Sequence, residues 1–266
     1  DFKEHRGTYS LPATLHLKGC LACEMKGALP CDYCHASGQA VCSNCHGTGM
    51  ICSKGEVYDP LANTWAPTGA MDVPRFNHTA TLLPNGKVLI TAGQTDAAGT
   101  ITTDCDLLDF TVSLNFAACG NGGQMQMTRA GHTATLLHNG RVFVAGGYRT
   151  PAQSTVAVTT ELYDPVTDGW SAGPALIQGR AYHSATQMGN QKVLIAGGFN
   201  GKNLFESRGF LASAEVYDPN SGGITPAAPM NARKMFHSTV LSGEGRISLY
   251  GGLGNITTSY LTGPVT

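Results

Sequence analysis

Seven of the nine cysteines lie between positions 20 and 52, and most of them come in pairs. Cys20-Leu-Ala-Cys23-Glu-Met-Lys-Gly27 is followed by Cys31-Asp-Tyr-Cys34-His-Ala-Ser-Gly38 and by Cys42-Ser-Asn-Cys45-His-Gly-Thr-Gly49. The units repeat every 11 residues, and Cys52 lies close to where a fourth would start. A Cys-x-x-Cys turn presents two thiolates to one ion, and two such turns complete a tetrahedral zinc site. The expectation is a tetrathiolate site drawn from two of the pairs Cys20/Cys23, Cys31/Cys34 and Cys42/Cys45, with Cys52 as a further candidate ligand. A competing chemistry is c-type haem, because Cys31–His35 and Cys42–His46 both read Cys-x-x-Cys-His. The thiols would then bind the porphyrin vinyl groups, with His35 and His46 as proximal iron ligands. His5 and His16 are available as distal ones. Glu24 breaks that pattern in the first unit, whereas the zinc reading accounts for all three units and their glycines. Disulfides are a third reading, favoured in an oxidising compartment. Nine being odd, pairing cannot be complete.

The other two cysteines, Cys105 and Cys119, flank one irregular stretch apart from this array. They are expected to form a disulfide closing a loop of about 15 residues, worth roughly 3 kcal/mol in the chain-entropy picture.

Histidines recur at a longer period. His78, His132, His183 and His237 are separated by 54, 51 and 54 residues, and each is followed by Thr or Ser. Arg75, Arg129, Arg180 and Arg233 precede them. A ring of four histidines suggests a metal, but a residue repeated in every unit more often does the same packing or hydrogen-bonding work in every unit. After each histidine come an apolar strand, a turn and a second apolar strand. Asn85-Gly86 and Asn139-Gly140 are hairpin signals, since both residue types accept positive φ. A double glycine closes the second strand at Gly146-Gly147, Gly197-Gly198 and Gly251-Gly252, with Gly93-Gln94 in the first copy. A third strand follows at Glu56–Pro60, Glu161–Pro165 and Glu215–Pro219, with a degenerate copy at Asp106–Phe110. Its Asp-Pro pair ends the strand, as Asp bonds backbone amides and Pro fixes φ. Trp65 and Trp170 open a fourth strand. The unit is thus a four-stranded antiparallel meander of about 50 residues, the size of a propeller blade.

The double glycine, the tyrosine of the third strand and the tryptophan after it resemble the kelch family, over about 200 residues. That resemblance implies an all-β propeller with four recognisable repeats, residues 55–266, preceded by a small cysteine-rich segment, residues 1–54. The variant carrying HTATLLPNGKVL and ELYDP is similar to kelch repeats of secreted bacterial proteins and of galactose-oxidase-like enzymes. The latter resemblance implies a copper-radical site of two His, two Tyr and a Cys crosslinked to one Tyr, and Tyr182-His183 resembles its ligand pair. No tyrosine near Cys105 or Cys119 suits the crosslink. The 11-residue cysteine units resemble the zinc segment of DnaJ-type chaperones, although only Cys42–Gly49 carries both glycines.

Composition narrows the function. Charged residues are 13% and the net charge is −1, which is unlike a nucleic-acid binder that must neutralise phosphates. Glycine numbers 34, well above the roughly 19 of an average chain, as turns and strands require. No apolar run reaches the length of a membrane span. The reading is an extracellular binding or structural protein without catalysis, with the copper oxidase and a redox, haem or chaperone role of the cysteine segment as alternatives. Its partner is a protein, a further copy of the chain in an oligomer or filament, or a glycan. Specificity belongs to the variable connections 94–104, 111–124, 148–159 and 199–213. Asn77-His-Thr79 and Asn255-Ile-Thr257 are glycosylation sequons.

One expectation concerns closure. Residues 56 to about 71 read as the third and fourth strands of a blade, and residues 237–252 as the first and second. Joined within one chain they make a fourth, composite blade, with Glu56–Tyr58 paired to Arg246–Tyr250. Residues 258–266 are a candidate third strand for the last blade, and Ala13–Gly19 faintly echoes Ala134–Gly140. The alternative is that another chain supplies the missing strands.

Overall fold

The computed structural model describes residues 53–96, 98–110, 112–120, 125–150, 154–202 and 209–254. The cysteine array from Cys20 to Cys52, the four histidines His5, His16, His35 and His46, the segment Ala13–Gly19, the sequon at Asn255 and residues 258–266 lie outside the described residues.

The described chain is all-β, with no α-helix. It opens with a two-stranded sheet, β1 (Lys54–Asp59) and β2 (Thr64–Ala70). Three four-stranded antiparallel meanders follow. Blade one is β3 (Thr79–Leu82), β4 (Val88–Gln94), β5 (Ile101–Leu108) and β6 (Phe116–Ala118). Blade two is β7 (Thr133–Leu136), β8 (Val142–Ala145), β9 (Thr160–Asp164) and β10 (Gly169–Ala172). Blade three is β11 (Ser184–Gln187), β12 (Val193–Ala196), β13 (Ala214–Asp218) and β14 (Gly223–Ala227). Then come β15 (Lys234–Met235), β16 (Ser238–Leu241), β17 (Ile247–Tyr250) and β18 (Leu253–Gly254), with β16 paired to β17 and β15 to β18. The connection 94–104 is shorter than the sequence implies, because β5 begins at Ile101 and its first residues pair with Gly93 and Gln94 across a bulge.

The turns explain the repeat at atomic level. In the first hairpin only Gly86 has positive φ, at 82°. Asn85 instead accepts the Lys87 amide on its side-chain oxygen at 3.1 Å. Asn139 and Asn190 do the same for Arg141 and Lys192. This is the hairpin in which a turn is followed by one left-handed residue, and Asn contributes a hydrogen bond where positive φ was expected of it. At the end of the second strand the counterpart of Gly146-Gly147 in blade one is Ala92-Gly93, with φ of 51° and 111°. The sequence register Gly93-Gln94 is one residue late. The second glycine of the pair is needed for space: a Cβ at Gly198 would lie 2.6 Å from the Ala181 carbonyl oxygen. The strand-ending aspartates behave as their type suggests, Asp164 and Asp218 accepting the amides of Val166 and Asn220.

The core lies between blade faces. Leu83, Leu89 and Cys105 of blade one pack on Val142, Val144 and Tyr163 of blade two. Phe143 and Ala145 on the other side of blade two pack on Val193, Ile195 and Tyr217 of blade three. Phe143 and Tyr217 stack at 4.1 Å between ring centres. Cys105 and Cys119 are joined in a disulfide, with 5.4 Å between their Cα atoms, tying β5 to the residue after β6.

Closure within the chain is not observed. β1 pairs with β2 and β17 with β16, and Glu56–Tyr58 has no pairing to Arg246–Tyr250. Among the described residues, three whole blades and two half-blades follow one another without pairing end to end.

Candidate functional site

The repeated charged residues form one buried unit per blade. Arg75 donates to Asp106 at 2.7 Å, Arg129 to Glu161 at 2.6 Å and Arg180 to Glu215 at 2.6 Å. All six side chains are nearly inaccessible, between 0% and 3% exposed. Each acid is the first residue of its third-strand motif, so β5, β9 and β13 hold it at a fixed height. The arginines also reach main-chain carbonyls: Arg129 donates to Gly146 and Thr159, and Arg180 to Gly197 and Ser213. Each glutamate also accepts backbone amides: Glu161 takes the Gln126 amide on its far oxygen, and Glu215 takes the Ile177 amide on its far oxygen and the Gln178 amide on the oxygen that Arg180 holds. A buried ion pair persists when its remaining donors and acceptors are satisfied in this way. Burial lowers the Arg129 and Arg180 guanidinium values, opposed by their partner glutamates. It also raises the Asp106 carboxyl against the pull of Arg75.

In the fourth repeat the cation in this register is Lys234, three residues before His237, as Arg180 is three before His183. Arg233 is one position out and exposed.

The repeat histidines bond from blade to blade. His132 Nε2 meets the hydroxyls of Thr79 at 2.9 Å and Thr91 at 3.2 Å. His183 Nε2 meets Thr133, and His237 Nε2 meets Ser184, each at 2.9 Å. The buried Nδ1 of these three rings has no hydrogen-bond partner among the described residues. An orphaned N–H is the harder atom to bury, which places the proton on Nε2, donating to the hydroxyl. Burial first, and the neighbouring cation second, hold His132 and His183 well below the ordinary imidazole value. His78 and His237 fall to about 4 for the same reasons. The rings are neutral struts. Among the described residues no three His, Cys, Asp or Glu side chains come close enough to hold a metal.

The residue before each histidine builds a ladder across the arc. The Gly131 amide donates to the Asn77 carbonyl, Tyr182 to Gly131, and Phe236 to Tyr182, at 2.8 to 3.0 Å. All four residues have φ between 53° and 62°. Tyr148, Tyr182 and Phe236 line up along this ladder, with ring centres 5.5 and 4.2 Å apart. Asn77, the sequon asparagine, donates its side-chain amide to the Tyr148 hydroxyl, which donates to Gln94. Phe236 is 53% exposed and ends the row. Tyr148 is buried and Tyr182 half-buried, so Phe236 is the ring that this row presents to solvent. The ladder escaped sequence reasoning because its signal, a varied residue before an invariant His, looks like the absence of one.

The copper-radical constellation is not assembled. Cys105 and Cys119 are bonded to each other, and His183 is engaged with Thr133. Tyr182 packs against Tyr148 and Phe236.

No protein-family model matches the chain. Among curated proteins it is similar to spermatocyte protein spe-26 of Caenorhabditis elegans, 26% identical over 172 residues, covering 63% of this chain and 28% of that protein. It is also similar to Kelch-like protein 15 of Danio rerio, 28% identical over 159 residues, covering 53% and 25%. Galactose oxidase of Gibberella zeae is 35% identical over 83 residues, 31% of this chain and 10% of the enzyme. The chain thus spans little more than a quarter of the length of the first two relatives. Among solved structures, that of YjhT superposes with a TM-score of 0.56 at 16% identity, covering 68% of this chain and 60% of that one. The blades and these relatives together make the fold a kelch-type propeller arc.

Proposed function

We propose that the chain is a non-catalytic, protein-binding and assembly module of an extracellular kelch protein. One observation supports this most: the side chains that recur are spent on structure, Arg on Asp or Glu inside each blade and His on a hydroxyl of the preceding blade, leaving Phe236 and the variable connections for recognition. Of the partner classes expected, a protein is the one the kelch relatives favour. Cross-linked capture tests this reading, comparing the natural chain with a Phe236→Asp variant. A specific protein recovered by the former and lost by the latter supports it. Stoichiometric copper with a radical absorption band would replace it by the oxidase, which the short match to galactose oxidase does not favour.

The cysteine segment is read as a tetrathiolate zinc site drawn from two of the pairs Cys20/Cys23, Cys31/Cys34 and Cys42/Cys45, with Cys52 a further candidate ligand, on the strength of its three evenly spaced pairs. Metal analysis with a visible spectrum checks it: zinc without a Soret band is expected, and a covalent haem at His35 or His46 would overturn it.

A further inference from the structure

The two half-blades of the arc lack opposite things. Among the described residues, β1 and β2 are the third and fourth strands of a blade without its first two, and β16 and β17 are the first and second strands of a blade without its last two. We propose that β17 of one copy pairs with the free edge of β1 of a second copy, so that two chains build each composite blade between them. The inference rests on the assembly reading above and names its partner.

Four unmet features support the joint. In blades one to three the acid heading the third strand meets the cation three residues before the histidine. Glu56 opens the Glu56–Pro60 motif within β1 but is exposed and has no ion pair among the described residues, and Lys234 likewise has none. Each lacks what the other supplies. Second, His132, His183 and His237 each bond the hydroxyl that follows the histidine of the preceding blade. His78 has no such hydroxyl among the described residues, and Ser238, the fourth in that series, is exposed and serves no histidine. Third, the ladder of amides stops at Phe236, whose carbonyl is the next acceptor, and starts at Asn77, whose amide is the next donor. Fourth, Tyr58 and Trp65 are 43% and 66% exposed, while Tyr163, the counterpart of Tyr58, is 1% exposed against blade one. In the joint they meet blade three of the second copy.

The register follows from the whole blades. Val142 pairs with Tyr163 and Val144 with Glu161. Ile247 therefore pairs with Tyr58, Ser248 with Val57 and Leu249 with Glu56. A cleft of about 170 Å³ lined by Lys54, Glu56, His78, Val88 and Ile90 lies beside that edge, where the incoming hairpin would cover it. Such a joint is head-to-tail, and closes only if the turn allows. Two copies joined at both ends give three whole blades each and two composite ones, eight in all, within the roughly four to eight blades of known propellers.

The test is sedimentation of the full chain at micromolar concentrations and above. The natural chain is expected at twice the single-chain mass. Glu56→Lys alone and Lys234→Glu alone each place like charges at every joint, and each is expected to sediment as single folded chains. An equal mixture of the two restores opposite charges at one joint and keeps the natural pair at the other, so the two-chain mass returns. A natural chain of single mass at every concentration overturns the proposal, including the case in which residues outside the described arc fill the blade. So does a mixture that stays dissociated. If the chain is single but a protein partner still depends on Phe236, the binding reading stands and only the joint falls.

Discussion

Glu215→Ala tests whether the buried units hold the blades. The carboxylate accepts Arg180 at 2.6 Å, the Ile177 amide at 2.8 Å and the Gln178 amide at 3.0 Å, in a side chain 3% exposed. Alanine leaves a guanidinium that is 0% exposed without a counter-charge. Breaking a buried pair from one side costs about 3–5 kcal/mol. The two orphaned amides add up to about 1–3 kcal/mol each. The Gly197 and Ser213 carbonyls still accept from Arg180, and water enters the vacated space, so the losses do not sum. The expectation is a destabilisation of about 4 kcal/mol. Arg141→Ala removes a surface pair to Asp164, with the arginine 48% exposed, and should cost under about 1 kcal/mol. Urea unfolding followed by circular dichroism reads both, with the slope checked for constancy. The double change Arg180→Met with Glu215→Leu should recover part of the loss, because no buried charge is left uncompensated, although the Ile177 and Gln178 amides still lose their acceptor. If Glu215→Ala costs no more than Arg141→Ala, the buried units do not hold the blades.

Three further outcomes follow from the same geometry. The repeat histidines are depressed in the folded state, His78 and His237 to about 4 and His132 and His183 well below the ordinary imidazole value. Their contribution is therefore intact above about pH 6.5 and lost as pH falls toward 4, where the unfolded chain binds more protons; a melting temperature unchanged across that window would refute it. Gly198→Ala, with φ of 103° and the Ala181 oxygen 2.6 Å from the new Cβ, should lower stability by several times the roughly 1 kcal/mol expected at Gly86, where nothing lies within 4 Å; equal urea midpoints for the two variants would count against the close-approach account. Cys105→Ala with Cys119→Ala should cost roughly 3 kcal/mol, read as a urea midpoint that no longer responds to reductant; a midpoint equal to that of the oxidised natural chain would show the bridge to be idle.

Much of the architecture was legible because it is periodic. The spacing of His78, His132, His183 and His237, the turns and the third-strand motif together specify three four-stranded blades and two halves, and the described sheets match them. The partner of the arginines was also written in that motif, in the leading acid of Glu161–Pro165 and Glu215–Pro219, but the two lie 32 and 35 residues apart in sequence and only the folded meander brings them together. Register errors came from reading types before geometry. Residue type alone points to Arg233 and to Gly93-Gln94, whereas the geometry uses Lys234 and places the left-handed backbone at Ala92 and Gly93. Closure was misjudged for a different reason. A repeat defines what each blade contains, whereas the turn from one blade to the next depends on how rings such as Phe143 and Tyr217 fill the wedge between faces. That angle is a property of packing across about 50 residues of sequence, and no local pattern encodes it. The unmet Glu56, His78, Ser238 and Lys234 carry the missing information, since a scaffold that satisfies its polar groups internally in three blades marks, by the ones it leaves unsatisfied, where the next surface must come.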